Sequence, residues 1–422
     1  MPGRHTKCIL IFFAIAMLLV LAGRQTLSKP TPPPPSPLVV GSCLGASPYS
    51  TIQSAVSAAP SGGAVLVCPG TYPEQVTITQ PLTLKGVQVG GLDAAVITSP
   101  AGGVVTNTSL LRNGTPVAAQ VLVQNTADVD IANLTVDGAG NLIPACGTSV
   151  YFPAFYYQNA SGTLNSVATR NQIPACGAGF GIYAESGDGG TSHLAVLNSS
   201  FHSYSGGGIV ANRAGADARI VGNSVAGIGV ADNRFENGIQ IGYGATGKVL
   251  GNTVVDNVAP VGIAPDTGIL IAYANGVIVE NNTVGNTNYG IATLSDLVDG
   301  AADHTTIRGN TVLAAHRADA IDVCSNHNTI ASNTVNASDE SGIHLRSACT
   351  STGNNNFVAR NTLNESCAGI LQDTGTTGNT ILPDNLFFND VNTILHADWC
   401  SSLVFDPADV VGGAPGLIHA IP

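Results

Sequence analysis

Between Asn198 and Asn385 apolar and polar residues recur as short alternating strings: AVLNSSF, RIVGNSV, VLGNTVV, VENNTVG, IRGNTVL, IASNTVN, VARNTLN and LPDNLFF. Their aligned asparagines are Asn198, Asn223, Asn252, Asn282, Asn310, Asn333, Asn361 and Asn385, at spacings of 25, 29, 30, 28, 23, 28 and 24 residues. A second string follows each of the first seven, at GGGIVAN, ENGIQIG, DTGILIA, NYGIATL, ADAIDVC, ESGIHLR and CAGILQD. Each unit therefore predicts two short strands and two turns, with too few residues for a buried helix and too little surface to bury a face alone. Stacking solves the problem: a parallel β-solenoid pairs the strands of each coil with those of the coils above and below, ~4.8 Å apart. A β-propeller needs ~40 or more residues per blade, longer than these spacings. An asparagine repeated at one turn of every coil can stack as a ladder that pairs otherwise buried polar groups, so these asparagines are read as structural.

The flanks complete the picture. Ser50–Ala59, STIQSAVSAA, predicts a short amphipathic helix with Ile52 and Val56 on one face, ahead of strand-like AVLVCPGTY, QVTI and PLTLKGV. Such a helix would cap the open end of the solenoid, where bare strand edges invite aggregation. Residues 396–422 leave the repeat, carry the only tryptophan, Trp399, and read as a C-terminal cap. Residues 1–22 read as a signal peptide: Arg4, His5 and Lys7 precede an apolar run from Cys8 to Ala22. That run is shorter than the ~20 residues of a membrane span, and an uncleaved anchor is the alternative. Residues 23–37 form a Pro-rich linker containing PTPPPPSP, and the β-helix domain is expected over 38–395.

Composition narrows the function classes. Only 10% of the residues are charged, against ~25% in an ordinary domain, while 44% are hydrophobic, so the chain has ample surface for a core. A net charge of −12 with four lysines, Lys7, Lys29, Lys85 and Lys248, argues against a nucleic-acid partner. Fifty glycines argue against a helical protein. Beyond Cys8 there are eight cysteines, Cys43, Cys68, Cys146, Cys176, Cys324, Cys349, Cys367 and Cys400, an even set that suggests disulfides in an exported chain. Paired in order they are separated by 25, 30, 25 and 33 residues, and Cys146 and Cys176 share the string IPACG. The rival reading is a soft copper or zinc site at Cys324, His327, His344 and Cys349, though their spacing matches no standard zinc pattern.

TIQSAVSAAPSGGAVLVCPGTYPEQVTITQPLTLKG followed by the NTV and GI repeats resembles the right-handed parallel β-helix proteins of the pectin lyase-like superfamily, over about Leu38 to Asn389. The resemblance implies a right-handed coil, a secreted, periplasmic or cell-surface setting, and an association with polysaccharides as lyase, hydrolase, esterase or epimerase. It fixes no reaction, because one fold hosts many activities. GTYPE (Gly70–Glu74) and QDT (Gln372–Thr374) are similar to fragments of pectin methylesterases. The second aspartate and the later Arg-Trp pair of that family are absent after Thr374, which argues against an esterase.

Alternation along the GI strings places Ile239, Ile269, Ile291, Ile321, Ile343 and Ile370 in one inward stack. The outward column one residue later is Gln240, Leu270, Ala292, Asp322, His344 and Leu371, and two residues further it ends in Cys324, Arg346 and Asp373. Asp322, His344, Arg346 and Asp373 are therefore the candidate catalytic residues, expected on one solvent-accessible outer face. Two coils and two residues apart, the aspartates would have Cα atoms ~12 Å apart, compatible with inverting hydrolysis once the side chains lean together. For β-elimination on a uronate, Arg346 would be the base and the acids would hold Ca²⁺. The segment 137–180 breaks the period, and its YFPAFYY run makes Tyr151, Tyr156 and Tyr157 candidate sugar-stacking residues on a loop. The leading expectation is a monomeric exported β-helix that binds or cleaves an extracellular polysaccharide; the alternative is a non-catalytic scaffold solenoid.

Overall fold

Each coil is built from three strands, one more than the sequence pattern suggests. Ser192–Leu197, Ser200–His202 and Gly207–Asn212 make one turn of chain, and Ala216–Val221, Ser224–Ala226 and Asn237–Gly242 make the next. The middle strand is often only two or three residues long, as at Thr311–Val312, and follows the asparagine turn so closely that two strands read as one string. The computed structural model describes residues 36–421 apart from 46–47, 89–93, 145–148, 188, 231–235, 261–262, 350–351 and 401–419. The expected signal peptide, nearly all of the Pro-rich linker and most of the C-terminal cap lie outside the described residues.

Strands of like position stack into three long sheets of 13, 12 and 14 strands. Among the described strands only Thr108–Ser109 with Pro116–Val117 pairs antiparallel. The first sheet alternates in burial, as in Ser192–Leu197, with one face on the core and the other toward water. The third sheet differs, because strands such as Asn237–Gly242, Tyr289–Leu294 and Ser338–Leu345 are buried on both faces. Inside the coil the register runs Ile239–Ile269–Ile291–Ile321–Ile343–Ile370, as the alternation predicts. At about 1.5–3 kcal/mol per buried isoleucine this column alone is comparable to the whole stability of a domain, so a one-residue slip that turned it outward could not persist.

The asparagine ladder is continuous from Asn223 through Asn252, Asn282, Asn310, Asn333 and Asn361 to Asn385, each amide donating to the next Oδ1 at 2.9–3.0 Å. Asn198 is not in it. Its place is taken by Ser199, whose backbone N–H donates to Asn223 Oδ1 at 2.9 Å. Asn198 is instead an exposed turn residue at φ 48°, a left-handed conformation that asparagine tolerates. A second, shorter stack joins Asn328, Asn356 and Asn379.

The helix forms at Ile52–Ala58 with Thr51 as N-cap, and it buries Ile52, Ala55 and Val56 against the core. Glu74 of the GTYPE string accepts hydrogen bonds from the backbone N–H groups of Ile52 (2.7 Å) and Gln53 (2.8 Å), so this carboxylate satisfies the helix start. Disulfides join Cys43–Cys68, Cys324–Cys349 and Cys367–Cys400. Cys176 is also disulfide-bonded, while Cys146 lies outside the described residues. The Cys324–Cys349 bond consumes both thiols of the rival metal reading, and His327 stacks on His304 with ring centroids 5.2 Å apart. Among the described residues no helix is long and apolar enough to cross a membrane.

Candidate functional site

The aromatic run does not form a loop. Val150–Gln158 is a nine-residue strand of the third sheet, in register with Gly177–Glu185. Alternation then divides its tyrosines. Tyr157 points into the interior core and donates its hydroxyl to Val129 O at 3.2 Å, so it serves the coil rather than a surface. Tyr156 points outward into a second apolar cluster with Phe180, Tyr183 and Val210, and donates to the Glu185 carboxylate. Tyr151 packs at the edge of that cluster, 5.0 Å from the Phe180 ring. Within it lies Ile421, whose N–H donates to Gln240 Oε1 (2.8 Å) and whose carbonyl accepts from Gln240 Nε2 (2.8 Å) and Asn212 Nδ2 (2.9 Å).

The four candidate catalytic residues do come together. Asp322 pairs in register with His344, and Leu345 with Gln372, which brings Arg346 and Asp373 to adjacent coils. Their environment differs from the expectation: instead of a solvent-accessible face, Asp322 is 0%, His344 1%, Asp373 4% and Arg346 5% exposed. Alternation distinguishes inside from outside only where the outer face meets water, and here the outer face of the third sheet is covered. The side-chain pairs are also exchanged relative to the strand register. Arg346 donates to Asp322 Oδ2 at 3.0 Å and to Tyr289 Oη at 3.2 Å, while His344 reaches Asp373 Oδ1 through Nε2 at 2.8 Å.

Two further carboxylates complete the cluster, and neither was singled out from the sequence. Asp319 Oδ2 lies 3.0 Å from His344 Nδ1, and Asp319 Oδ1 accepts from the Ser341 hydroxyl (2.6 Å) and N–H (3.1 Å). Glu340 stands at an irregularity. Ser338 pairs with Ser366 and Ser341 with Ala368, so Asp339 and Glu340 stand opposite one residue in a β-bulge. Glu340 lies four residues before His344, on the same outer face, and close to Asp319 and His344. The signal lay in the strings ADAI and ESGI, whose acids differ by one place relative to isoleucine.

Protonation follows from this crowding. Burial alone would pull His344 down, but the Asp319 charge and the hydrogen bonds to Asp319 and Asp373 hold it well above the usual histidine value. It is an imidazolium between two carboxylates. Burial pushes Asp322 up to about 6 despite the Arg346 charge, and burial with the Asp319 charge pushes Glu340 up to about 9. Burial also works against an ionised Asp373, but His344 and the Ser347 N–H and hydroxyl outweigh it and keep that carboxyl low.

A cleft of about 440 Å³ lies at the turns that follow the third-sheet strands of earlier coils, lined by Arg112, Gly187, Arg213, Tyr243 and Asp299 among others. The Arg112 guanidinium sits 4.0 Å over the Tyr243 ring and pairs with Asp299 at 2.8 Å, and Tyr273 lies 5.1 Å from Tyr243. Because Asn212, Gly242 and Ala272 are in register, the next residues, Arg213, Tyr243 and Tyr273, occupy equivalent turn positions on successive coils. All three have positive φ, of 79°, 55° and 58°. The residue just after each marker string was the available clue.

Residues 193–401 match the family model described as periplasmic copper-binding protein (NosD). Among solved structures, the surface adhesin PfbA of Streptococcus pneumoniae is 16% identical with a TM-score of 0.54, over 82% of this chain and 86% of that one. The chain is a parallel β-helix repeat protein. The Dettilon tailspike protein gp208 shares this fold at 15% identity and a TM-score of 0.52, over 80% of this chain and 64% of the tailspike. So does the GH136 lacto-N-biosidase of Eubacterium ramulus, at 13% identity and 0.51, over 86% and 68%. No curated protein matches the chain. A periplasmic family match together with multiple disulfides makes this β-helix a secreted or periplasmic protein.

Proposed function

We propose that this β-helix, wound right-handed and capped by the Ile52–Ala58 helix, binds an extracellular polysaccharide along the turns that border its third sheet. One observation carries the reading: Arg213, Tyr243 and Tyr273 form a track along the coil axis, with Arg112 and Asp299 beside it. Aromatic rings offer apolar faces to sugar rings, and the charged groups offer hydrogen bonds to hydroxyls or an acidic substituent. A track that repeats at the coil spacing suits a linear chain ligand. A solved β-helix of this fold is a lacto-N-biosidase, which supports a carbohydrate partner.

Binding fits better than cleavage at the Asp322–His344–Arg346–Asp373 cluster, since those residues are buried and occupied with one another. The matched family's description names copper. Cuprous ion takes thiolate and thioether donors. The described cysteines are disulfide-bonded, and both methionines, Met1 and Met17, precede the described residues. The residues present do not fit a soft cuprous site, and no copper step is assigned.

The test is affinity electrophoresis of the protein in gels containing neutral and uronate polysaccharides. At least one polysaccharide should retard it, and Tyr243→Ala should weaken that retardation at least ~10-fold in apparent affinity, the scale of a lost aromatic contact of about 1.5 kcal/mol. Assays for reducing ends, unsaturated ends and methanol name the reaction class if one exists. Absence of retardation by every polysaccharide would refute the reading, and retardation without product would support a non-catalytic scaffold.

A further inference from the structure

We propose that Asp319, Glu340 and His344 form a site for one divalent transition ion, bound by the His344 imidazole and one carboxylate oxygen from each acid. The inference goes beyond the polysaccharide reading and uses a different part of the third sheet. A ring nitrogen of His344 and an oxygen each of Asp319 and Glu340 lie within 4.8 Å of one another. Metal–ligand bonds of ~2.0–2.2 Å put ligand atoms ~3.3–3.6 Å apart in a tetrahedral set, so side-chain shifts of about an ångström close this one. One edge is already at that scale, with His344 Nδ1 and Asp319 Oδ2 3.0 Å apart.

Proximity of acids alone would not suffice, and a second observation points to a missing cation. Glu340 is 3% exposed, and its Oε1 is buried with no hydrogen-bond partner. A buried carboxylate oxygen without a donor is costly, and a cation removes the cost. Glu340 lies four residues before His344 on the same strand, so alternation turns both to the outer face, where Asp319 meets them from the neighbouring coil.

The surroundings resemble the outer support of metal sites. His344 Nε2 reaches Asp373 Oδ1 at 2.8 Å, which fixes the ring orientation as carboxylate–histidine–metal arrangements do, and the ion would bind Nδ1 by displacing the proton that now faces Asp319. Asp319 is held by both polar groups of Ser341 at 2.6 and 3.1 Å, and Asp373 by the Ser347 N–H at 2.7 Å. Asp322 is engaged by Arg346 and stays outside the ligand set. One nitrogen and two oxygens suit Zn²⁺, Mn²⁺ or Cu²⁺, whereas Ca²⁺ asks for six to eight oxygens. Three protein ligands leave a fourth position for water or an incoming group.

The experiment uses the full untagged chain, freed of metal with a chelator and titrated calorimetrically with ZnCl₂, MnCl₂, CuCl₂ and CaCl₂. One equivalent of Zn²⁺, Mn²⁺ or Cu²⁺ is expected to bind, Ca²⁺ is not, and the unfolding midpoint should rise with the bound ion. The Cu²⁺ adduct should show hyperfine coupling to a single ring nitrogen. His344→Gln and the nearly isosteric Glu340→Gln should each weaken binding at least ~100-fold, more than the 10–100-fold typical of an outer-shell partner, with His193→Gln unchanged. Glu340→Gln keeps the test decisive if His344→Gln fails to fold. Lack of stoichiometric binding in folded protein, or binding unaffected by Glu340→Gln, would overturn the assignment.

Discussion

Replacing Asn282 by alanine removes four buried hydrogen bonds at once. Its Oδ1 accepts from the backbone N–H and the side-chain amide of Asn252, both at 2.9 Å. Its Nδ2 donates to Val249 O and to Asn310 Oδ1, again at 2.9 Å. At a net of about 1 kcal/mol per bond the loss is about 4 kcal/mol, and it rises where a stranded donor finds no water, because each unsatisfied buried group costs about 1–3 kcal/mol. That is a large share of the roughly 5–15 kcal/mol that holds a domain together. The matched control is Asn198→Gly, which touches the same turn of an earlier coil outside the ladder. Asn198 is exposed, has φ 48° that glycine adopts freely, and its side-chain hydrogen bond is a 3.5 Å contact to Asn165, so its change should stay within about 0.5 kcal/mol. Urea unfolding followed by circular dichroism measures both variants against the parent chain. Equal shifts, or a loss below about 1 kcal/mol for Asn282→Ala, would refute the ladder as a net source of stability.

The remaining predictions concern charge and cross-links. Arg346→Leu should destabilise by about 3–5 kcal/mol because it leaves Asp322 buried beside the other acids, and adding Asp322→Leu should recover most of it; a double-mutant cycle in urea shows whether it does. Burial raises the Asp390 pKa to about 6, above its unfolded value, so its contribution is complete below about pH 4 and lost as pH rises through 6. Asp390→Asn should therefore raise the unfolding temperature at pH 8 and leave it unchanged at pH 3.5, and the reverse order would contradict the sign. Removing the Cys324–Cys349 cross-link with a double serine variant should cost about 3–4 kcal/mol for a 25-residue loop, read from the same urea curves.

Much of the fold is written at the period of the chain, and its legibility follows strand length. Six isoleucines recur at matching places in the second marker string, and the register Gln240–Leu270–Ala292–Asp322–His344–Leu371 follows residue for residue. Middle strands of two residues carry no alternation that a pattern could reveal, which is why three strands per coil read as two. The Asn198 error is of the same kind. In VLNS the asparagine follows the apolar pair directly, one residue sooner than in IVGN, so Ser199 takes the ladder place. Covering of the third sheet's outer face had no local signal, because Ile421 reaches it from far along the chain. The Arg112 to Asp299 pair, 187 residues apart, is equally silent in sequence.

Four of the six residues of the candidate centre were legible for a related reason. Residues on regular strands can be placed by counting from the isoleucine column, and Asp322, His344, Arg346 and Asp373 follow that count. Asp319 precedes the strand Ile321–Cys324 and lies outside the count. Glu340, four residues before His344, shares its outer face by the same alternation and meets Asp319 from the neighbouring coil. A regular strand offers the outer face only every second residue on each coil, and one coil contributes few groups within metal-ligand reach. Inserting an alanine between Glu340 and Ser341 should therefore change the spacing to His344 from four residues to five and turn Glu340 off the shared outer face. Zn²⁺ binding should then be lost while circular dichroism keeps its strand signal. Retained binding in that insertion would show that strand register does not position the ligand set.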